Sequence, residues 1–402
     1  MKKNSALIML VVVFLLSTHN SFAQRPLPAE GAQPHGIKNF CAGVSCVDSL
    51  WMYKRIYKSE PAMLPYSFER VTGDRGFFGR ILSSKADTIF DANPIIAMML
   101  IEKNKILYER YKGSVNSQTA FAGFSMTKSI ASLTVGQAVC ENSNINLDVK
   151  SSSLNNLLSG SVQGDATIRQ LLTMSSGGNR GTLSMGGWPV GGENIGNSNY
   201  AGYKSIPTLI KDHGGRQLLN SSSGESVQSG VEFSYKNTDY AALSLVLSGQ
   251  SPDGFFKIFN SGLAPLVGFE NPVYWVHDEH GYTHTSTSFH ASLIDWGRLA
   301  QFILNKINDK TDSCLSRYIR DATKTQIKNK SSAHGSNFYS GSNFGGYGFG
   351  FWTENHKKPK AIYMVGANGQ RIGIDPNSEK VMVVISTDDS SVRDIFNFFG
   401  QW

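Results

Sequence analysis

Charge is scarce in this 402-residue chain. Only 17% of residues are Asp, Glu, Lys or Arg, too few for a disordered polyelectrolyte, while 40% are apolar, enough for a sizeable core. Cysteine is scarcer still: the four present offer neither a zinc-ligand spacing nor a Cys-x-x-Cys redox pair. The 40 glycines follow no three-residue period, which excludes a collagen-like fibre. Past residue 23 no apolar run approaches the ~20 residues that a membrane-spanning helix needs. No internal repeat is present, and no Gly-x-Ser-x-Gly elbow, which argues against an α/β-hydrolase fold. What is left is a loop-rich globular protein, of a kind that enzymes commonly are.

Residues 1–23 read as a secretory signal peptide. Lys2 and Lys3 form a positive start, Ala6 to Leu16 an apolar stretch, and Ser21-Phe22-Ala23 a small-x-small cleavage site before Gln24. An uncleaved anchor is the alternative, but the apolar stretch is short for it. The expected mature protein spans residues 24–402, periplasmic or secreted, with no transmembrane segment. Its net charge drops by two from +7, to +5. That is a mild bias, suited to anionic cell-wall fragments and too weak for a nucleic-acid footprint. Export permits disulfides among Cys41, Cys46, Cys140 and Cys314, and three full pairings exist. A local Cys41–Cys46 loop is expected, with Cys140, inside an apolar helical pattern, read as a buried thiol.

Residues 24 to about 90 carry Pro26, Pro28, Pro34, Pro61 and Pro65 and read as an irregular N-terminal arm. Ile95–Ile101 and Ile106–Tyr111 form a hairpin pattern, followed by a helix from Ser125 to about Cys140. About 146–289 mixes short helices with Gly/Ser/Asn-rich loops. A helix from Ser292, strands at Ile362–Val365, Gln370–Ile374 and Lys380–Ser386, and a closing helix from Val392 complete the chain. The order predicts one α+β domain: an antiparallel sheet flanked by helices, built from about 91–145 and 290–402, with a mostly helical insertion at about 146–289.

Ser125-Met-Thr-Lys128 is the only Ser-x-x-Lys in the chain. At a helix start it places an amine one turn from a hydroxyl, where a lowered amine pKa lets it take the hydroxyl proton. A capping serine with a surface lysine would look the same. Tyr235-Lys-Asn237 is the only Tyr-x-Asn. In an extended segment its two side chains enter one cleft, Tyr235 as an acid/base and Asn237 as a carbonyl or lysine holder. Gly366-Ala-Asn-Gly-Gln370 opens a strand pair whose edge can face a substrate. His277, His280, His284 and His290 lack a helical metal-site spacing and read as a polar loop, so no metal or cofactor is expected. Trp188, Tyr200 and Trp275 are open to two readings, pocket lining or packing.

Ser-x-x-Lys, Tyr-x-Asn and a glycine-containing strand motif, in that order, resemble the serine β-lactamase and penicillin-binding-protein superfamily. The Tyr-x-Asn form resembles its class C branch, which includes D-alanyl-D-alanine carboxypeptidases, esterases and 6-aminohexanoate-oligomer hydrolases. Segments such as Thr167-Ile-Arg-Gln-Leu-Leu-Thr-Met-Ser-Ser-Gly177 and Tyr347-Gly-Phe-Gly-Phe-Trp352 extend the resemblance over about residues 95–390. It implies a β-lactamase-like fold and an acyl-enzyme on Ser125, with Lys128 and Tyr235 sharing proton transfer. It also implies an amide or ester substrate, small-molecule or peptide-like. Asn237, Asn368, Gly369 and Gln370 would bind substrate, and the N–H groups of Ser125 and Gln370 would form the oxyanion hole. The alternatives are a D-alanyl-D-alanine carboxypeptidase or class C-like β-lactamase, and a non-catalytic member that binds cell wall or a partner. One departure stands out: where the family's strand motif often has Lys or His, this chain has Ala367 and Asn368.

Overall fold

The computed structural model describes residues 56–71, 76–180, 205–213, 216–217, 226–329 and 343–402. The expected signal peptide, Cys41, Cys46, Trp188 and Tyr200 lie outside them. Strands β1 (Ile56–Ser59) and β2 (Glu69–Arg70) precede helix α1 (Gly76–Ala92), the hairpin β3 (Ile95–Glu102)/β4 (Lys105–Tyr111), β5 (Phe121–Ala122) and α2 (Thr127–Glu141). Next come α3 (Ile168–Leu172), β6 (Gly178–Arg180), α4 (Ile206–His213), β7 (Arg216–Gln217), β8 (Ser226–Val227) and α5 (Asn237–Ser248). Then follow β9 (Val273–Val276), β10 (Phe289–Ala291), α6 (Leu293–Asn308) and α7 (Cys314–Ala322). The chain ends with β11 (Ile327–Lys328), β12 (Phe344–Tyr347), β13 (Trp352–Asn355), β14 (Ile362–Gly366), β15 (Gln370–Asp375), β16 (Lys380–Ser386) and α8 (Val392–Gln401).

The main sheet runs β11-β12-β13-β14-β15-β16-β3-β4-β2 among the described residues. Its seam is β16 on β3, antiparallel, which joins the C-terminal strands to the N-terminal hairpin. The expected α+β architecture is therefore present, with the C-terminal strands and the β3/β4 hairpin in one sheet. Ile-Ile-Ala-Met-Met-Leu-Ile in β3 and Val-Met-Val-Val-Ile in β16 are almost wholly buried, because helices cover both faces. Met99 pairs with Val383, which pairs with Ile372, and this row of side chains lies on one face. On that face Gly297 of α6 approaches the Met99 sulfur and Ile101. Gly373 and Tyr363, on the opposite face, pack on Phe399 of α8. The turn between β3 and β4 has Lys103 at φ 48° and Asn104 at φ 64°, the left-handed pair that matches strand twist.

Three expectations change. The arm is not irregular throughout, since α1 occupies its last part. Leu82, Ala86, Ile89 and Phe90 fall at helical spacing, with Ala86 and Phe90 fully buried against the hairpin. The insertion, expected to be mostly helical, also carries strands: β6, β7 and β8 make a small sheet, and β9 joins a second sheet ordered β1-β9-β10-β5. One pairing in the main sheet, β2 on β4 at its edge, is parallel.

Cys140 is not a thiol. It closes a disulfide to Cys314 across 174 residues, with the Cα atoms 5.7 Å apart. The bond staples the end of α2 to the start of α7, where Tyr318 also hydrogen-bonds the Ser132 carbonyl oxygen at 2.9 Å. A loop of this length implies up to about 5 kcal/mol in the chain-entropy model. Unreduced peptide mapping should find Cys140 and Cys314 linked. A Cys140→Ser/Cys314→Ser double variant should lose about 2–5 kcal/mol of unfolding free energy in denaturant titration.

Candidate active site

The second sheet delivers Ser125. Strand β5 pairs with β10, and beyond it the Gly123 N–H donates to the Phe289 carbonyl oxygen at 2.8 Å. A side chain on Gly123 would collide with the Trp296 ring. Phe124 follows at φ 46°, a left-handed conformation that costs a bulky residue about 1–3 kcal/mol. Ser125 then sits in a short 3₁₀ turn, Phe124–Met126, rather than opening the α-helix itself, and α2 starts two residues later. The spacing to Lys128 is still about one turn.

Helix α2 is buried around its whole circumference from Thr127 to Ala138, so Lys128 enters the interior with it. The Lys128 side chain is 1% exposed. Its Nζ lies 3.0 Å from Ser125 Oγ and 2.7 Å from the Ser286 carbonyl oxygen. Burial drives its pKa well below the usual lysine value. A neutral amine has two N–H bonds and one lone pair, so it can donate to Ser286 and accept the Ser125 proton.

Tyr235 reaches the same amine from another part of the chain. Lys128 Nζ stands 4.9 Å from the centre of the Tyr235 ring, which stacks on Trp352 of β13 at 5.6 Å and 8°. Tyr235 and Lys236 are in the segment before α5, and Asn237 is the first helical residue, so the pair is only half extended as expected. The backbone still turns Asn237 inward. It is 4% exposed, and its Oδ1 has no hydrogen-bond partner among the described residues. A buried acceptor of this kind suits a ligand N–H.

Lys236 is the residue that motif reading missed. It is fully buried, donates to the Gly177 carbonyl oxygen at 2.6 Å and pairs with Asp239 at 3.5 Å. Asp239 also accepts from Ser176 Oγ at 2.6 Å and Gln163 Nε2 at 2.8 Å. The pair nails the tyrosine segment to the loop after α3. Its sequence signal was available: a lysine three residues before an aspartate at a helix start.

The strand motif meets the serine turn at Gly366, where a Cβ would sit inside contact distance of the Gly123 carbonyl oxygen. Asn368 at φ 58° and Gly369 at φ 79° turn the chain from β14 into β15. Gln370 is enclosed: its Nε2 donates to the Asn368 and Ser386 carbonyl oxygens at 2.7 and 2.8 Å. Any contact it makes with substrate is therefore through its main chain. The Asn368 and Gly369 N–H groups donate to Asp389, at 3.3 and 2.8 Å. Arg371, fully buried, donates to Gly366 O, to Gln370 O at 2.7 Å and to Asp389 at 2.9 Å. Asp389 had no distinguishing signal in the sequence.

His277, His284, His290 and Trp275 are buried, whereas His280 is exposed beside Glu279. Trp275 is fully buried among Phe255, Phe259 and Phe289, and its Nε1 donates to the His284 carbonyl oxygen. His290, fully buried beside the Ser288 carbonyl, is held neutral, its pKa lowered to about 4 by desolvation. Among the described residues no three His, Cys, Asp or Glu side chains gather as a metal site.

The serine turn, the buried lysine and the tyrosine ring thus come together around one amine. The chain belongs to the Beta-lactamase family, whose model matches residues 90–397, and so to the serine hydrolase superfamily of β-lactamases and penicillin-binding proteins. Among solved structures it is similar to a Bacillus anthracis protein assigned as a 6-aminohexanoate-dimer hydrolase. The two share 18% identity and a TM-score of 0.64, covering 88% of this chain and 93% of that one. It is also similar to an octameric penicillin-binding protein homologue from Pyrococcus abyssi, with 17% identity, TM-score 0.58 and coverage of 80% and 76%. EstCE1, a hydrolase with promiscuous acyltransferase activity, gives 12% identity, TM-score 0.57 and coverage of 80% and 99%. No curated protein matches the chain.

The lowered Lys128 pKa has a stability signature. Between the folded value and the usual 10.5, the unfolded chain binds a proton that the folded chain does not, so stability rises with pH. Lys128→Met should remove this contribution, leaving a flatter stability–pH curve above neutrality than the parent's in denaturant titration. An unchanged slope would show that Lys128 is charged in the folded protein.

Proposed function

We propose that this chain is an exported serine hydrolase that cleaves amide or ester bonds through a covalent acyl-enzyme on Ser125. The observation that carries this reading is the 3.0 Å contact between Ser125 Oγ and a fully buried, pKa-lowered Lys128. In the first half-reaction neutral Lys128 accepts the hydroxyl proton as Oγ bonds to the substrate carbonyl carbon. The oxyanion is held by main-chain N–H groups of Ser125 and Gln370. Tyr235, against the same amine, relays the proton to the departing alcohol or amine. Water then attacks the acyl ester, Tyr235 and Lys128 take its proton, and Ser125 recovers its own as the acid leaves. Asn237 Oδ1, buried and without a hydrogen-bond partner among the described residues, accepts from a substrate amide N–H or from Lys128.

We read the preferred substrate as lacking a carboxylate beside the scissile bond. A lysine in the strand motif would offer a charge-assisted hydrogen bond of about 1.5–3 kcal/mol to such a group. This chain has Asn368 there, and the nearby Arg371 guanidinium is enclosed and paired with Asp389. Neutral esters and uncharged linear amides fit better than penicillins or D-Ala-D-Ala peptides. The Cys140–Cys314 disulfide suits an oxidising compartment and supports export.

An active-site phosphonate should add its mass to the peptide containing Ser125, and labelling that survives Ser125→Ala would refute the nucleophile. Lys128→Ala and Tyr235→Phe should each cost at least ~100-fold in kcat. The double variant should be little worse than either, and fully additive losses would separate the two roles. Across a panel of short-chain esters, linear amide oligomers, D-Ala-D-Ala peptides and β-lactams, the neutral substrates should give the highest kcat/KM. Efficient penicillin hydrolysis without esterase activity would favour the β-lactamase alternative, and inertness towards phosphonate and panel alike would favour the binding-protein alternative.

A further inference from the structure

The turn between β14 and β15 has the form of an anion site that is already filled. Asn368 and Gly369 are consecutive residues of left-handed backbone, and their N–H groups converge on one point. The third donor is Arg371 Nη2, on a side chain with no solvent exposure. A guanidinium beside two convergent N–H groups is a strong carboxylate receptor. Its occupant is Asp389, twenty residues away, whose Oδ1 takes the Gly369 N–H and Arg371 and whose Oδ2 takes the Asn368 N–H. The Asp389 side chain is 57% exposed, so the receptor opens to the surface on the aspartate's side. The other guanidinium contacts hold the same turn, through Gly366 O and Gln370 O. Arg371 Nε is buried with no hydrogen-bond partner among the described residues, so Asp389 is the one anion compensating this cation there.

We propose that Asp389 is a built-in carboxylate plug: it fills the receptor formed by Asn368 N–H, Gly369 N–H and Arg371, fixes the strand end that presents Gln370, and keeps substrate carboxylates out of it. The last clause rests on the hydrolase reading, and the first does not. Asp389 acts through the turn and Arg371, so it is a positioning and specificity residue.

The test uses the full chain carrying Asp389→Ala, with Asp394→Ala, a half-buried carboxylate on α8 beside Arg393, as control. Sodium acetate should raise the melting temperature of Asp389→Ala saturably, relative to sodium chloride at equal ionic strength, and leave the parent and the control unmoved. Neutral-ester kcat should fall at least tenfold in Asp389→Ala and recover with acetate, with KM little changed. The kcat/KM ratio of a carboxylate-bearing amide to a neutral ester should rise at least tenfold. Asp389→Asn, which fills the space without the charge, should fold, show no acetate effect and raise the same ratio less. If acetate acts equally on parent and variant, or Asp389→Ala melts and turns over like the parent, the plug is refuted. An unchanged substrate ratio in both variants refutes its role in exclusion. A chain that hydrolyses nothing overturns the hydrolase reading, while the acetate melt still decides the plug.

Discussion

A lysine ammonium placed in a protein interior without a carboxylate is too costly to keep charged, and this fold is arranged around that cost at Lys128. Helix α2 is buried all round, and the polar neighbours it gives Lys128 are a hydroxyl, a carbonyl oxygen and an aromatic face. None of these compensates a full charge as a carboxylate would, so burial lowers the pKa and favours the neutral amine. The contrast with Lys236 is instructive. Both side chains are fully enclosed and burial lowers both pKa values, but at Lys236 the Asp239 carboxylate 3.5 Å away opposes that shift. One residue type meets two buried settings here, and the difference between them is a carboxylate.

The site needs its three chain segments to meet closely, and glycine marks the seams. Gly123 lies on Trp296, Gly366 against the Gly123 carbonyl, and Gly350 against the Lys128 carbonyl and the Tyr240 hydroxyl. At each seam a Cβ would push a segment that carries a candidate site residue off its neighbour. The second sheet holds the serine turn, the main sheet holds the strand end, and the Lys236–Asp239 pair holds the tyrosine segment. Phe124's left-handed backbone is tolerated because these surroundings over-determine it.

Local features were legible from sequence and non-local ones were not. The apolar runs of β3 and β16, the hairpin at Lys103-Asn104 and the Ser125–Lys128 spacing all depend on neighbours a few residues away. Cys140 misled because a buried half-cystine and a buried thiol occupy the same kind of helical position, and its partner is 174 residues distant. Helix α1 was hidden by Ser83-Ser84-Lys85 interrupting its apolar stripe. Gln370 was placed in the right strand, but its side chain turns to Ser386, a contact set by the β15–β16 register. Asp389 is an ordinary surface aspartate until folding sets it beside Arg371.

The uncharged strand end and the lowered Lys128 pKa are physically linked. A substrate carboxylate entering the cleft at ~8 Å from Lys128 would favour the ammonium by about 2 kcal/mol at an effective dielectric near 20, more than one pKa unit. That shift would weaken the base at the moment it is needed. A cleft with a free cation at the strand end could cancel the field of the incoming anion. Here Asp389 already cancels Arg371, and the Asn368 amide carries no charge. An uncharged ligand leaves the Lys128 pKa as burial sets it, so the setting that lowers this pKa would also respond to the charge of whatever enters beside it.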